Sequence, residues 1–237
     1  MAAAKTVLIT GATGMVGRQV LDLLLAHGDV SAVRSIGRRP SGISDDKLHE
    51  IVHENFLEFS SVRGAFENVD LCVYCLGVYQ SQVSKERFYE ITCDCQQAFT
   101  ECLVAVSPQA DFVLFSAQGA DSSGRNWATF ARAKGRAETL LSATAFANKY
   151  IFRPGYIIPT GDRRPNGVAY RLLAAVVSAL RRLGFDIGIS DRDLANAMVM
   201  TGIEADSRSG IFEQSDIKGV CRSQQQIDLS TDPIETD

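Results

Sequence analysis

Nowhere does this chain carry an apolar run long enough to cross a bilayer: the longest, Leu172 to Leu180, falls far short of the roughly twenty residues a spanning helix needs. It lacks a basic excess too, since the formal net charge is −4, which removes the electrostatic footprint of nonspecific nucleic-acid binding and points to small molecules or proteins as partners. No internal repeat is visible, so a stacked array is excluded. Its six cysteines do not form a disulfide framework in a chain of this size. Cys72 and Cys75 lie in an apolar run, their odd separation sending them to opposite faces of a strand; Cys93 and Cys95 fall in a helical stretch; Cys102 and Cys221 stand alone. No metal site is expected. The three histidines, His27, His49 and His53, sit away from the motifs below and read as surface or strand-edge residues. Met1 to Lys5 leads straight into an apolar run, leaving no room for a signal peptide, and a cytoplasmic protein is expected.

What is present begins with Lys5 to Thr10, a short β-branched run that reads as a buried strand, followed by Gly11-Ala12-Thr13-Gly14-Met15-Val16-Gly17. From Met15 to His27 the apolar residues Val16, Val20, Leu23 and Leu24 recur at helical spacing. Strand, glycine turn and helix in that order form a dinucleotide fingerprint: residues without Cβ admit a pyrophosphate, which sits at the positive end of the helix. The spacing is G-x-x-G-x-x-G. Gly11, Thr13, Gly14, Met15, Val16 and Gly17 are therefore candidate cofactor contacts.

Ala32 to Gly37 reads as a second strand, and Arg38-Arg39 follows it where an acidic residue would select the ribose of NAD. Two arginines and no acid point to the 2′-phosphate of NADP, and so to NADPH over NADH. Further strands are expected at Ile51 to Asn55, Val69 to Leu76, Asp111 to Ser116 and Tyr150 to Gly155. Helices are expected at Ser60 to Phe66, Ser84 to Val106 and Asn126 to Ala147. In a doubly wound sheet the ligand crosses the carboxyl ends of the strands, which brings Leu76 and Gly77 beside the cofactor and aims Ser116 at the site. At 237 residues one domain is expected, spanning 1–222. The fold class is α/β, Rossmann-like, a doubly wound parallel sheet with helices on both faces and a small substrate lobe at about 154–210. A capping box opens a helix at Ser190, a last strand is expected at Ile211 to Glu213, and 223–237 reads as a disordered tail.

Gly11 to Gly17, Ile36-Gly37-Arg38-Arg39, Cys75-Leu76-Gly77, Ser116 to Asp121, Lys134 to Glu138 and Phe152-Arg153-Pro154-Gly155 occur in the order and spacing of one group of proteins. Over roughly residues 5 to 160 the chain resembles the atypical short-chain dehydrogenase/reductases, in particular the Tat-interactive protein oxidoreductases and their fungal mitochondrial relatives. That resemblance implies a nicotinamide cofactor, with Asn55 at the position near the adenine usually held by aspartate. It also implies that Lys134 holds the nicotinamide ribose, and that Ser116 orients a substrate.

The same resemblance exposes a departure. Active members carry a tyrosine four residues before the lysine, on the same helical face, to protonate a carbonyl as hydride arrives. Here that position is Phe130, which has no proton to give. Tyr79 is the first substitute donor and Tyr156 the second. Two functions follow: an NADPH-dependent oxidoreductase acting on a small carbonyl compound, or a protein that binds NADP(H) as a sensor without turnover. A partner-binding protein with a vestigial nucleotide site is a third.

Overall fold

In a computed structural model the chain is described over residues 4–160, 177, 182–183, 187–204 and 208–231. Seven parallel strands form the central sheet in the order β3-β2-β1-β4-β5-β6-β9. They are β1 (Lys5–Thr10), β2 (Val30–Gly37), β3 (Leu48–Val52), β4 (Leu71–Tyr74), β5 (Asp111–Phe115), β6 (Lys149–Arg153) and β9 (Gly210–Glu213). A separate two-stranded ribbon pairs β7 (Ile157–Ile158) with β8 (Ile189–Ser190).

Alternation along the strands divides the core in two, as a period of two residues must. Val7, Ile9, Leu71, Val73, Val113, Tyr150 and Phe152 face one side. There they meet Val20, Leu21 and Leu24 of α1 (Met15–Ala26) and, from the far end of the chain, Leu194, Ala195 and Met198 of α5 (Asp191–Ile203). Leu8, Cys72, Tyr74, Phe112, Leu114 and Ile151 face the other side. They pack on Phe99 and Leu103 of α3 (Cys95–Val106) and Leu141 of α4 (Thr129–Ser142). Cys72 and Cys75 fall on opposite faces, as their spacing requires. The inner strands β1, β4, β5 and β6 bury apolar residues on both faces because helices cover both.

Several boundaries differ from expectation. The third strand ends at Val52, so Asn55 lies in the loop beyond it. The long helix is three pieces: α2 (Lys85–Tyr89), capped by the Ser84 hydroxyl accepting from the Arg87 amide, a π turn at Glu90–Asp94, and α3. The π turn inserts a residue into the helical ladder and shifts the buried face, which simple 3.6-residue periodicity does not register. Ser190 does cap α5, accepting from the Asp193 amide at 2.9 Å. That helix, within the 154–210 expected as a small substrate lobe, packs on one face of the main sheet, while most of 161–186 lies outside the described residues. Likewise the expected tail at 223–237 is helical as far as Thr231 in α6 (Gln214–Thr231); residues 232–237 lie outside the described residues.

Candidate functional site

Strand order reverses between β1 and β4, since β1 leads back through β2 to β3 while β4 leads on to β5, and the loops leaving the two strands separate there. A cleft of about 420 Å³ opens between them. Thr10 to Gly14 form one wall and Cys75 to Gly77 another, with Ser35, Gly37 to Arg39 and Phe56 completing it. Gly11 turns the chain with φ +81°, and a Cβ there would lie 2.4 Å from the Cys75 carbonyl. A Cβ on Gly17 would lie 2.1 Å from the Gly11 oxygen. These two glycines let the turn close against α1 and the β4 loop. Gly14 is different: its amide donates to the Gly11 oxygen at 2.9 Å, and a Cβ would meet nothing nearer than that oxygen at 3.1 Å. It is exposed, lines the cleft and is the N-cap of α1 with no side-chain cap, so the first amides of the helix are left for a ligand.

The expected cofactor residues divide accordingly. Gly11, Thr13, Gly14, Arg38, Arg39, Leu76 and Gly77 line the cleft. Both arginines are exposed, and neither is held in an ion pair among the described residues. Val16 is buried in the core and offers the site only its backbone amide, like Met15 and Gly17 in the first helical turn. Asn55 is not on the cleft wall; its carboxamide oxygen accepts from the Leu57 amide, and Phe56 lines the cleft in its place. A phenyl face there suits a base by stacking rather than by hydrogen bonding. Sequence reasoning also missed Ser35 and Cys75; Ser35 follows from the register that sets β2 beside β1, with Ser35 opposite Ile9.

Beyond Gly77 the carboxyl edge carries the second half of the site. Ser116 follows β5 directly, yet its hydroxyl is turned inward and donates to Glu138 of α4 at 2.5 Å. Both residues are buried. Glu138 in turn accepts from Arg153 through both carboxylate oxygens, and Arg153 reaches Glu213 at 2.8 Å. Ser116 therefore belongs to a polar chain crossing from β5 to β9, and the expectation that it points into the site is corrected: a buried carboxylate one layer below captures the hydroxyl. Phe130 stacks on Phe88 of α2 with ring centroids 5.9 Å apart, in a small apolar cluster with Val78 and Val83. Tyr79 is about half exposed and lies near enough to Tyr156 for the two phenols to interact electrostatically.

Lys134 donates to the Phe115 carbonyl at 3.3 Å, and its ammonium lies 5.8 Å from the Phe115 ring centroid. Burial lowers its pKa to about 8, with the Glu138 carboxylate the strongest opposing influence. Its charge is felt by Cys75, whose thiol burial pushes up to about 12, although Lys134 itself is not among the residues that line the cleft. Burial, and next the Tyr156 phenol, raise the pKa of Tyr79. Among the described residues no group of three or more histidine, cysteine, aspartate or glutamate side chains could hold a metal ion, and no helix is long and apolar enough to cross a membrane.

A parallel sheet with a glycine-turned cleft at its switch point is the frame of the nicotinamide-dinucleotide proteins, and the family described as NAD(P)H-binding matches residues 11–200 of this chain. The chain belongs to that family. Within it, the chain resembles the HTATIP2-like proteins. It is 27% identical over 156 residues to "Protein HTATIP2" of Rattus norvegicus, a match covering 65% of this chain and 63% of that protein. It is 28% identical over 213 residues to "Protein fmp52-1, mitochondrial" of Aspergillus terreus, covering 84% and 88%. Among solved structures, MoeE5 in complex with UDP-glucose and NAD superposes with a TM-score of 0.66 at 17% identity, over 93% of this chain and 82% of that one. A short-chain dehydrogenase/reductase superfamily protein from Agrobacterium tumefaciens with bound NAD gives 0.64 at 16%, over 94% and 82%. These two likenesses concern the fold.

Proposed function

We propose that this protein binds NADP(H) and works by holding the dinucleotide rather than by turning over a carbonyl substrate. The observation that carries this is Phe130, stacked on Phe88 within an apolar cluster at the position where active relatives of this superfamily place a phenol. The inward turn of Ser116 onto Glu138 supports it, since the other hydroxyl of the usual arrangement is already committed.

The cleft fits a dinucleotide. Gly14 leaves open the space a side chain would fill, the first amides of α1 offer donors for a pyrophosphate, and Phe56 offers a face for the adenine. Arg38 and Arg39, on the cleft wall at the end of β2, would receive the 2′-phosphate, and Lys134, by its resemblance to the lysine of the related reductases, would hold the nicotinamide ribose. When bound, the dinucleotide supplies or accepts hydride, while this chain's own residues bind and orient it.

A second reading rests on Tyr79, which follows the Cys75 to Gly77 wall and neighbours Tyr156. In it, the Tyr79 hydroxyl delivers the proton and the protein is an NADPH-dependent reductase of a small carbonyl compound. One experiment separates the readings: calorimetric titration with NADPH and NADH, followed by turnover assays on a carbonyl panel. Preference for NADPH of about tenfold or more, from two charge-assisted contacts, is expected with little or no wild-type turnover. Equal affinities would remove the arginine argument. Robust turnover abolished by Tyr79→Phe would replace the binding reading with the second.

A further inference from the structure

Residues 53–59, which leave β3 and carry Phe56 to the cleft, form neither helix nor strand. Glu54, Asn55, Leu57 and Glu58 are exposed, so burial holds this loop only at Phe56 and Phe59. His53 stands at its root. The His53 amide donates to the Gly37 carbonyl at 2.9 Å, which ties it to the end of β2 just before Arg38. Its side chain turns back over the loop, with Nε2 2.8 Å from the Asn55 carbonyl oxygen and 2.7 Å from that of Glu58. Both neighbours can only accept, so Nε2 carries the ring hydrogen and shares it between them. The imidazole also packs on Phe59 and Phe56, at ring-centroid separations of 5.2 and 6.1 Å.

We infer that His53 is a positioning residue for the adenosine end of the cleft: by clasping the Asn55 and Glu58 carbonyls it holds the turn that sets Phe56 on the wall, and so sets the affinity for an adenine nucleotide. The two carbonyls flank Phe56 along the chain, so one N–H pins both sides of the residue that reaches the cleft. The turn's own bonds, from the Leu57 amide to the Asn55 carboxamide oxygen and from the Glu58 amide to the Asn55 carbonyl, are both longer, at 3.2 Å. Through its amide His53 is joined to Gly37, which lines the cleft beside Arg38 and Arg39, so the clasp also fixes Phe56 relative to the two arginines. An aromatic wall already in place binds a base more tightly, because no ordering entropy is then lost on binding.

The inference rests on the dinucleotide reading of the cleft and deepens it at the adenosine end, but one arm of its test needs no nucleotide. The full chain is compared with His53→Phe, which keeps a ring against Phe59 and removes the donor, and with His53→Gln, whose amide nitrogen can take the place of Nε2. Without nucleotide, hydrogen exchange at the Leu57 and Glu58 amides should be about tenfold faster in His53→Phe, with the β1 amides unchanged, and near wild type in His53→Gln. Calorimetric titration with adenosine 2′,5′-bisphosphate should give an affinity about tenfold weaker for His53→Phe and within about threefold of wild type for His53→Gln. Because His53 acts through Phe56, His53→Phe should add nothing to the loss caused by Phe56→Ala when the two are combined.

Unchanged exchange at Leu57 and Glu58 would overturn the inference and leave the dinucleotide reading standing. Additive losses in the double variant would overturn action through Phe56. A wild type that binds no adenosine bisphosphate would overturn the dinucleotide reading and the affinity claim with it, and the exchange arm would still decide whether His53 holds the loop.

Discussion

Two side chains four positions apart on α4 carry the functional argument, and both are tested singly. Phe130→Tyr adds one hydroxyl to a ring packed against Phe88, Val78 and Val83. A general acid is worth a rate factor of about 10² to 10⁴, so the variant should gain NADPH-dependent carbonyl reduction measurable against the wild-type background by cofactor absorbance. No gain on substrates that an active relative reduces would show that more than the phenol is missing. Lys134 yields a prediction about pH. Its pKa falls from 10.5 to about 8 on burial, so the unfolded chain holds the proton more tightly and the charged lysine penalises the fold. That penalty is full below pH 8 and is relieved as pH rises from about 8 toward 10.5. Lys134→Met should therefore raise the melting temperature at pH 7 by a few degrees, and the gain should shrink across that window. A gain independent of pH would mean that packing, not charge, sets it.

At the scale of the element, the turn between β1 and α1 separates structural glycine from ligand glycine. Gly17→Ala drives a Cβ to 2.1 Å from the Gly11 carbonyl oxygen, a contact that only a backbone shift relieves, and overpacking of this kind costs about 1–3 kcal/mol. Gly14→Val meets only one atom, at 3.1 Å, and should fold, yet its branches occupy the space beside the first amides of α1. The expected pattern is lowered stability for the first variant in urea unfolding, and near-native stability with lost nucleotide binding for the second. Retained binding by Gly14→Val would reduce the glycine turn to a structural device.

Among the described residues the fold is built on one main sheet, and α5, from the last third of the chain, packs on it. Met198 of α5 is fully buried against the face that also holds Leu24 of α1. Met198→Ala should cost about 2–5 kcal/mol, as Leu24→Ala should, in a single urea transition of unchanged slope. A separate transition for Met198→Ala would make α5 part of an independent lobe. Much of this architecture was legible beforehand. Apolar runs, the glycine turn and helical spacing fixed the parallel sheet, the cleft at its switch point and the helix that sets Phe130 before Lys134, because those patterns are local and their periods follow from backbone geometry. The arginines after β2 were legible for the same reason, being adjacent to a strand end that could be counted. What local pattern could not supply is the direction of side chains where distant segments meet. Ser116 turns inward because Glu138, 22 positions away, lies beneath it, and Arg153 spans to Glu213 across a further 60. Phe56 reaches the cleft and Asn55 does not because the third strand ended three residues early and the loop carried the amide outward. A buried carboxylate must find counter-charge wherever the fold brings it, and that pairing is settled by tertiary packing alone.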